Sequence, residues 1–548
     1  MTVYIPEPGR EWDFIIVGTG MGGATLGHAL AQAGQSVLFL EKGRSHINGD
    51  VALTDDYAES FFPKLKDPQS EEITTLAAAG RYTEELEDVS GPQPRSFIPF
   101  IGSGTGGSTA LYGMALERFF ASDFSPRQYY PEAKKSSVPA SWPVKYDDLL
   151  PFYEAAEQQY RVRGTPDPMR GADEANYLPP PPFIPVNQAL YDCLRHQGLN
   201  PYHLPMACEQ VQDCQSCQSY LCNKNCKNDS SRICLAPALT QFGARLLDEC
   251  EVIRLESTRS DVSSIVCMHR GRELTLRARK YVIAAGALET PRLLLNSASS
   301  IWPNGLANDN NLVGKNLMRH YIDLYALFCG ERVKRNSRVK ELAFNDLYLR
   351  DGKKLGSVQS FGFLPPEAML AEQIARDLRE ESGRLPAAAF NLVKPIARFA
   401  LKQLFSRALI LATTLEDLPY EQNRVMLSNQ TDRQGRKRLQ IKYTVRDNEQ
   451  VRINTFRQEM KTILKPYRYM LLKQAENNQR IAHVCGTCRF GLNPQTSVCD
   501  ANNKVHALDN LYISDSSVFP SSGGINPSLT IAALSLRLAH HLGSTHNA

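Results

Sequence analysis

The sequence predicts an α/β protein with two or more interleaved domains. A short apolar run at residues 13–17 leads into glycines, a helix-like stretch follows at 24–33, and a second apolar run occupies 36–40. A third apolar run at 280–286 also ends in glycine and precedes a predicted helix at 289–296. This alternation is typical of a parallel sheet with crossover helices. A chain of 548 residues also exceeds the size of one compact core.

The first glycine turn carries a dinucleotide fingerprint. It reads Gly18-Thr-Gly20-Met-Gly-Gly23, and the second strand ends in Glu41, about 20 residues further on, where the fingerprint places an acid for the ribose hydroxyls. Strand, glycine turn, helix and acid together predict a Rossmann-like nucleotide-binding domain. The alternative is a glycine turn with a purely structural role.

Composition excludes several classes of function. The chain has 62 basic and 58 acidic residues, a net charge of +4, and no basic run interleaved with aromatic residues, so we expect no nucleic-acid partner. We find no signal peptide and no apolar run of transmembrane length. The sequence therefore predicts a cytoplasmic protein without a transmembrane segment.

The middle of the chain differs in composition from both ends. We predict an amphipathic helix at 146–159 and an extended linker at the prolines 179–182. Longer polar stretches between 321 and 480, with strand-like segments at 424–427 and 438–443, predict a separate domain that covers the substrate. Its apolar helices favour a bulky or lipophilic substrate.

A basic helical region is predicted at 386–414. Lys394, Arg398, Lys402 and Arg407 lie at helical spacings opposite apolar residues. We interpret this stripe as a solvated face of the helix. A helix that faces a membrane surface or a partner is the alternative.

Two further motifs carry polar chemistry. The glycine-rich stretch 102–114 predicts a close backbone approach to a ligand, with a flexible loop as the alternative. Near the C-terminus, His483-Val-Cys-Gly-Thr-Cys-Arg-Phe-Gly491 is followed by Gly-Gly-Ile-Asn526-Pro-Ser. A histidine can take up a proton near neutral pH, and an asparagine can orient an oxygen.

Taken in order, these motifs resemble the glucose-methanol-choline oxidoreductase family, flavoenzymes that oxidise alcohols. The family's second signature matches Gly286-Ala-Leu-Glu-Thr-Pro-Arg-Leu-Leu-Leu-Asn-Ser297, with Ala298 in place of its last glycine. The segment 510–520 resembles its flavin-contacting strand. The resemblance implies an FAD-binding domain at 1–320 and 481–548, and a substrate-binding domain at 321–480 built on an antiparallel sheet with helices.

The resemblance also implies where FAD is bound. The adenosine half is expected at the first glycine turn and near Val252, and the isoalloxazine ring near the 106–114 and 515–527 regions. The implied contacts are Gly18, Gly20, Gly23, Glu41, Gly106, Gly107, Ser108, Tyr112, Gly113, Val252, Asp515 and Pro527. Tyr112 stands near a position that is commonly asparagine, and the loop has no histidine, so we expect non-covalent FAD.

The implied reaction is oxidation of a CH–OH group with hydride transfer to flavin N5. His483 is the expected general base, and Asn526 its partner on the substrate oxygen. Pro527 is expected to begin a helix over 528–540 whose positive end faces the flavin. His320 matches a family position and is expected to be structural. Alternatives are a lyase similar to hydroxynitrile lyases, an oxygen-using alcohol oxidase, and a non-catalytic flavin or metal-binding module.

Cysteines cluster in an insertion at about 208–234. Cys214, Cys217, Cys222 and Cys226 lie close together, which indicates metal or redox chemistry. The spacing of the last three resembles sugar dehydrogenase subunits of the same family that hold a three-iron cluster. The resemblance implies an iron–sulfur cluster, an electron-transfer protein partner, and export attached to such a partner as an alternative location.

Other interpretations of the cysteines stay open. Zinc, a disulfide and plain thiols are alternatives to the cluster. A redox pair formed by Cys485 and Cys488 is a further, less favoured interpretation.

Overall fold

Three main sheets and their covering helices make up the described part of the chain. The computed structural model describes residues 9–47, 71–171, 175–214, 216–329, 338–362, 384–432 and 435–544, with isolated residues at 333 and between 367 and 379. Within these residues one sheet has seven strands, one has six and one has four. The predicted α/β class is confirmed.

The seven-stranded sheet contains the predicted nucleotide-binding unit. Its parallel part runs in the order Arg245–Leu247, Val37–Leu40, Glu11–Val17, Arg272–Ile283 and Leu511–Ile513. The strand Val37–Leu40 is buried along its whole length, as expected for a parallel sheet covered on both faces. All five strands end at one edge, which is where such sheets bind ligands.

An antiparallel meander extends this sheet at its other edge. The strands Cys250–Ser257 and Val262–His269 pair with each other, and the second pairs with the first half of Arg272–Ile283. The long strand Arg272–Ile283 therefore belongs to both the parallel part and the antiparallel part of this sheet. The strand predicted at 280–286 corresponds only to the buried C-terminal end of Arg272–Ile283.

Three helices pack side by side on the parallel sheet. They are Met21–Gln32, Ser528–Ser544 and Tyr146–Gln159, all close to their predicted positions. Buried hydroxyl pairs lock them together, since the Tyr153 hydroxyl lies 2.7 Å from that of Thr530. The helix Gly286–Asn296 also follows its prediction.

The six-stranded sheet is antiparallel. Its order is Tyr469–Leu472, Tyr321–Phe328, Ala408–Leu415, Gly356–Ser360, Leu342–Phe344 and Tyr202–His203. The helix Asp447–Ile463 contributes Phe456 and Met460 to the core on this sheet. Because Tyr202–His203 precedes position 320, the sheet draws on both sides of that boundary, and the division of the chain into domains stays a prediction.

The remaining elements are short. The four-stranded sheet runs Arg424–Thr431, Lys437–Lys442, Leu86–Asp88 and Arg95–Phe97. A hairpin pairs Leu349–Arg350 with Lys353–Lys354. Further α-helices are Glu71–Ala78, Pro185–His196 and Ala236–Thr240.

The basic helical region differs from its prediction at its C-terminal end. The helix Arg384–Phe405 ends before the strand Ala408–Leu415, which is central in its sheet and paired on both sides. Sheet pairing therefore overrides the helical pattern there. The helix also exposes apolar side chains, since Leu392 is 85% exposed and Phe399 is 66% exposed. No helix in the described part of the chain has the length and apolar character needed to cross a membrane.

Candidate active site

The three fingerprint glycines have distinct steric environments. Gly18 has a φ of +99°, and a Cβ there would overlap the Ala284 carbonyl oxygen. A Cβ on Gly23 would overlap the Gly18 carbonyl oxygen, whereas a Cβ on Gly20 would have no atom within 4 Å. Gly18 and Gly23 are therefore required by backbone packing, and Gly20 faces open space.

The open space lies at the start of a helix. Met21–Gln32 begins after Gly20, and no side chain caps its N-terminus. Its first N–H groups and the positive end of its dipole are available to an anion. These features fit the pyrophosphate of a dinucleotide, as the sequence predicts.

Glu41 joins the two glycine loops. Its carboxylate accepts hydrogen bonds from the backbone N–H groups of Thr19 (3.0 Å), Gly43 (3.1 Å) and Gly104 (3.1 Å). Burial raises the pKa of this carboxyl, although the hydrogen bonds oppose the shift. The Cys250 N–H donates to the Glu41 carbonyl at 2.9 Å, which brings the strand that contains Val252 beside it. The expected contacts of the adenosine half are thus neighbours.

The second glycine loop contacts the first directly. Gly106 and Gly107 both have positive φ, and a Cβ on Gly107 would come within 3.1 Å of the Gly20 Cα. The Ser108 hydroxyl accepts a hydrogen bond from the Gly102 N–H at 3.0 Å. The loop therefore leads from the open space at Gly20 toward Tyr112 and Gly113.

Asp515 follows the last parallel strand, Leu511–Ile513, and lies at the same edge of the sheet. Its carboxylate accepts from the Gly286 N–H at 2.9 Å, the Thr290 hydroxyl at 2.6 Å and the Ser517 N–H at 2.8 Å. It therefore caps the helix Gly286–Asn296. Burial raises the pKa of Asp515 in spite of these bonds.

His483 is held against His320 by a pair of backbone hydrogen bonds between Met318 and Cys485. The Nδ1 atoms of the two histidines lie 2.9 Å apart, with the rings nearly perpendicular. His483 has a φ of +55°, an uncommon conformation that marks a locally constrained backbone. His320, expected to be structural, is thus in direct contact with the candidate base.

The hydrogen bonds determine which nitrogen of His483 is free. His320 Nε2 lies 2.9 Å from the Gly523 carbonyl oxygen and 3.2 Å from that of Ser522, so it must donate a proton. Burial lowers the pKa of His320, so the ring is neutral and its Nδ1 accepts. His483 Nδ1 then donates, and His483 Nε2 carries the free lone pair.

His483 itself is neutral near pH 7. Burial is the largest cause of a pKa well below the usual histidine value, and electrostatic interactions with His320 and with the Lys340 ammonium lower this pKa further. A neutral imidazole with a free Nε2 can accept a proton.

Asn526 lies three residues after Gly523, in the loop whose carbonyl oxygens hold His320. Its Oδ1 accepts from Gln359 Nε2 at 3.0 Å, which leaves its own amide N–H groups to face a ligand oxygen. Gln359 Oε1 is buried without a hydrogen-bond partner among the described residues. The helix Ser528–Ser544 begins directly after Pro527, as predicted, so its positive end adjoins Asn526.

Lys340 was not identified from the sequence. It is 3% exposed, it lies 5.7 Å from the centroid of the Phe361 ring, and a Cβ on Gly113 would overlap its Nζ. Burial lowers its pKa to about 8, opposed by the charge of Glu117. No local motif marks this lysine, because only tertiary packing places it beside Gly113 and within electrostatic range of His483.

The cysteine insertion forms one chain of neighbouring thiols. The Sγ atoms lie 3.6 Å apart for Cys208 and Cys214, 3.7 Å for Cys214 and Cys226, and 3.5 Å for Cys222 and Cys226. The Cys217 thiol is hydrogen-bonded to the sulfur of Cys222. Cys208, at the start of the insertion and not among the four cysteines singled out from the sequence, belongs with Cys214 and Cys226 to a group whose ligand atoms all lie within 4.8 Å of one another.

The thiol separations bear on the kind of metal. Thiolates bound at about 2.3 Å around one tetrahedral ion lie about 3.8 Å apart, close to the separations here. An iron–sulfur cluster would hold them farther apart, because its iron and sulfide atoms stand between the ligands. The thiols as placed fit a single ion, and a cluster requires that they spread. All thirteen cysteines, Cys485 and Cys488 included, are free thiols.

The cysteine insertion also docks on the second glycine loop. The Ser219 N–H donates to the Leu111 carbonyl oxygen, the buried Lys227 ammonium to that of Ala110, and the Tyr112 hydroxyl to that of Asn228, at 2.7 to 2.8 Å. Tyr112 packs on the cluster that contains Cys208, Cys214 and Cys226. One aromatic side chain thus connects the candidate flavin loop to the thiols.

The chain is similar to known proteins over most of its length. Models of the GMC oxidoreductase family match residues 12–322 and 419–535. The chain is 30% identical to 6'''-hydroxyparomomycin C oxidase of Streptomyces lividus, over 98% of this chain and 93% of that protein. It is 24% identical to the fructose dehydrogenase large subunit of Gluconobacter japonicus, over 96% and 97% of the two chains. In fold it is similar to a crystal structure of pyridoxine 4-oxidase from Mesorbium loti, with a TM-score of 0.64, 20% identity, and coverage of 97% and 99%.

The glycine turn yields a paired prediction. Gly20→Ala adds a methyl group into open space, so we expect unchanged stability of the cofactor-free protein but a lower content of bound FAD. Gly23→Ala places its methyl group on a backbone oxygen, so we expect a loss of folding stability of about 1–3 kcal/mol. Flavin absorbance and chemical denaturation measure the two effects. Equal behaviour of both variants would contradict the assigned roles.

Proposed function

The chain belongs to the GMC oxidoreductase family, FAD-dependent enzymes that act on alcohol groups, and we propose that His483 and Asn526 carry out the oxidation of its substrate. The main support for this proposal is the hydrogen bond between His483 and His320. It leaves the neutral His483 ring with a free lone pair on Nε2, which can accept a proton. The substrate is a small-molecule alcohol.

His483, His320 and Asn526 have separate roles at the substrate hydroxyl group. His483 Nε2 accepts the hydroxyl proton, and His320 keeps the ring oriented through Nδ1. The Asn526 amide donates to the same oxygen, and its own carbonyl is held by Gln359. When bound, FAD supplies the acceptor for the hydride that leaves the carbon.

Lys340 adds a positive charge to this site. Its ammonium is buried beside Gly113, in the loop expected at the isoalloxazine ring, and it acts electrostatically on His483. A buried cation stabilises negative charge that develops on the substrate oxygen as the proton leaves. It also disfavours cationic substrates, so we propose an alcohol whose neighbouring groups are neutral or anionic.

A substitution of the base tests the proposal. In His483→Gln the rate of flavin reduction by an alcohol under anaerobic conditions should fall at least about 100-fold, because proton removal is lost. His506→Gln is the control, since the His506 side chain is hydrogen-bonded to Ser497 and lies outside the site. Stopped-flow flavin absorbance measures the rate. Turnover with the flavin still oxidised would instead indicate a lyase.

Lys340 predicts the pH dependence. The ammonium is protonated below its pKa of about 8, so flavin reduction should slow as the pH rises through that value. His483 is neutral over the same pH range, so its own titration does not change the rate there. Lys340→Met should lower the rate by at least about tenfold and remove the alkaline limb. The exposed Lys353→Met serves as the control, and an unchanged pH profile in Lys340→Met would refute the role.

We also propose that Cys208, Cys214 and Cys226, with Cys222 beside them, bind a metal centre. Its support is the compactness of the thiols and their contact with Tyr112. An iron–sulfur centre would let electrons leave through a protein partner. The fructose dehydrogenase relative is named as a large subunit, so that enzyme has a further chain. A zinc ion would hold the second glycine loop in place.

Metal analysis separates these cases. Anaerobically purified protein should contain a stoichiometric metal that Cys214→Ser and Cys226→Ser lose and Cys193→Ser, outside the cluster, retains. Iron, acid-labile sulfide and zinc are measured together. Iron with sulfide supports electron transfer to a partner protein, zinc supports a structural role, and full activity with no metal would refute the proposal.

A further inference from the structure

One long helix leaves an apolar side uncovered. In Arg384–Phe405, Leu385 and Leu392 are each 85% exposed, Ile396 is 72% exposed and Phe399 is 66% exposed. Their spacings of three, four and seven residues place them on one side of the helix. With Val393 and Leu404, the helix holds six of the twelve large apolar side chains exposed in the described part of the chain. Apolar patches of this kind mark interaction surfaces.

The opposite side of the helix is the one that faces the protein. Phe390, Ala397, Leu401 and Phe405 are half-buried, and Phe405 packs on the core beneath the antiparallel sheet. The exposed apolar residues therefore form a second apolar side of the helix. No packing within the described part of the chain covers it.

Basic residues border one edge of the exposed apolar side, and Lys394 lies opposite it. Residues 384–407 contain five basic residues, Arg384, Lys394, Arg398, Lys402 and Arg407, and no acidic residue. Arg398, Lys402 and Arg407 are exposed, and none of the three forms an ion pair within the described residues. An apolar side bordered by cations matches helices that lie in the headgroup region of anionic membranes.

A groove lies at the C-terminal end of the same helix. Its volume is about 970 Å³, and its lining includes Phe328, Leu404, Tyr467 and Tyr469 together with Arg407 and Arg468. Apolar and aromatic walls beside two guanidinium groups suit a phospholipid, whose acyl chain and phosphate need both kinds of contact.

We propose that the helix Arg384–Phe405 binds the surface of a bilayer rich in anionic phospholipid, with Leu385, Leu392, Ile396 and Phe399 inserted among the lipids. The charge distribution favours lipid over a second copy of the chain. A symmetric dimer through this side would bring two sets of basic residues together without acidic partners. The enzyme is thus a peripheral membrane protein that crosses no bilayer with this helix.

Vesicle flotation tests the proposal on the full-length protein with FAD. The protein should float with vesicles of equimolar phosphatidylcholine and phosphatidylglycerol, and bind vesicles of phosphatidylcholine alone much more weakly. The double variant Ile396→Asp with Phe399→Asp should lose at least about tenfold in affinity, since two inserted apolar side chains become charged. Val451→Asp, on an exposed face of another helix, should bind like the wild type.

Two controls keep the outcome interpretable. Flavin content and oxidation of a water-soluble alcohol should be unchanged in the double variant, because these residues lie outside the candidate active site. Arg398→Gln with Lys402→Gln should weaken binding only to the anionic vesicles. The proposal is overturned if the wild type fails to float, or if the double variant floats equally well. A dimer that the double variant dissociates, without vesicle binding, would overturn it in favour of a second copy.

Discussion

The whole candidate site depends on direct backbone contact between segments that are far apart in the chain. Gly18 lies against Ala284, Gly22 against Ser514, and Gly107 against Gly20. No side chain fits between these segments, so the glycines are required by packing as much as by a ligand. The contact aligns the carboxyl ends of the parallel strands at one edge, and both glycine loops start from it.

Burial then decides the chemistry of the groups placed around that edge. It lowers the pKa values of His320 and His483, and the carbonyl oxygens at 522 and 523 fix the tautomer of His320. The proposed base, His483, is thus oriented by a neighbouring histidine and a backbone loop. Lys340 supplies a positive charge at the same place, and its lowered pKa reflects the cost of burying it.

Local sequence patterns predicted the elements whose periodicity agrees with their packing. The helices at 21–32, 146–159 and 528–544 are examples, since each buries the side that its apolar spacing indicates. The region 386–414 is the counterexample. Its last third forms a central strand because sheet pairing on both sides outweighs local preference, and its first two-thirds expose the apolar side that the pattern would bury.

The sequence by itself determined the nucleotide fingerprint, the family resemblance and the pair His483 and Asn526, because these depend on residue types at short, regular spacings. Only the tertiary structure showed that His320 contacts His483, that Lys340 is buried beside Gly113 and that Cys208 lies with Cys214 and Cys226. Each of these contacts joins segments whose proximity is set by sheet register and loop docking. Such proximity leaves no periodic signal in the chain, so it appears only when the fold is assembled.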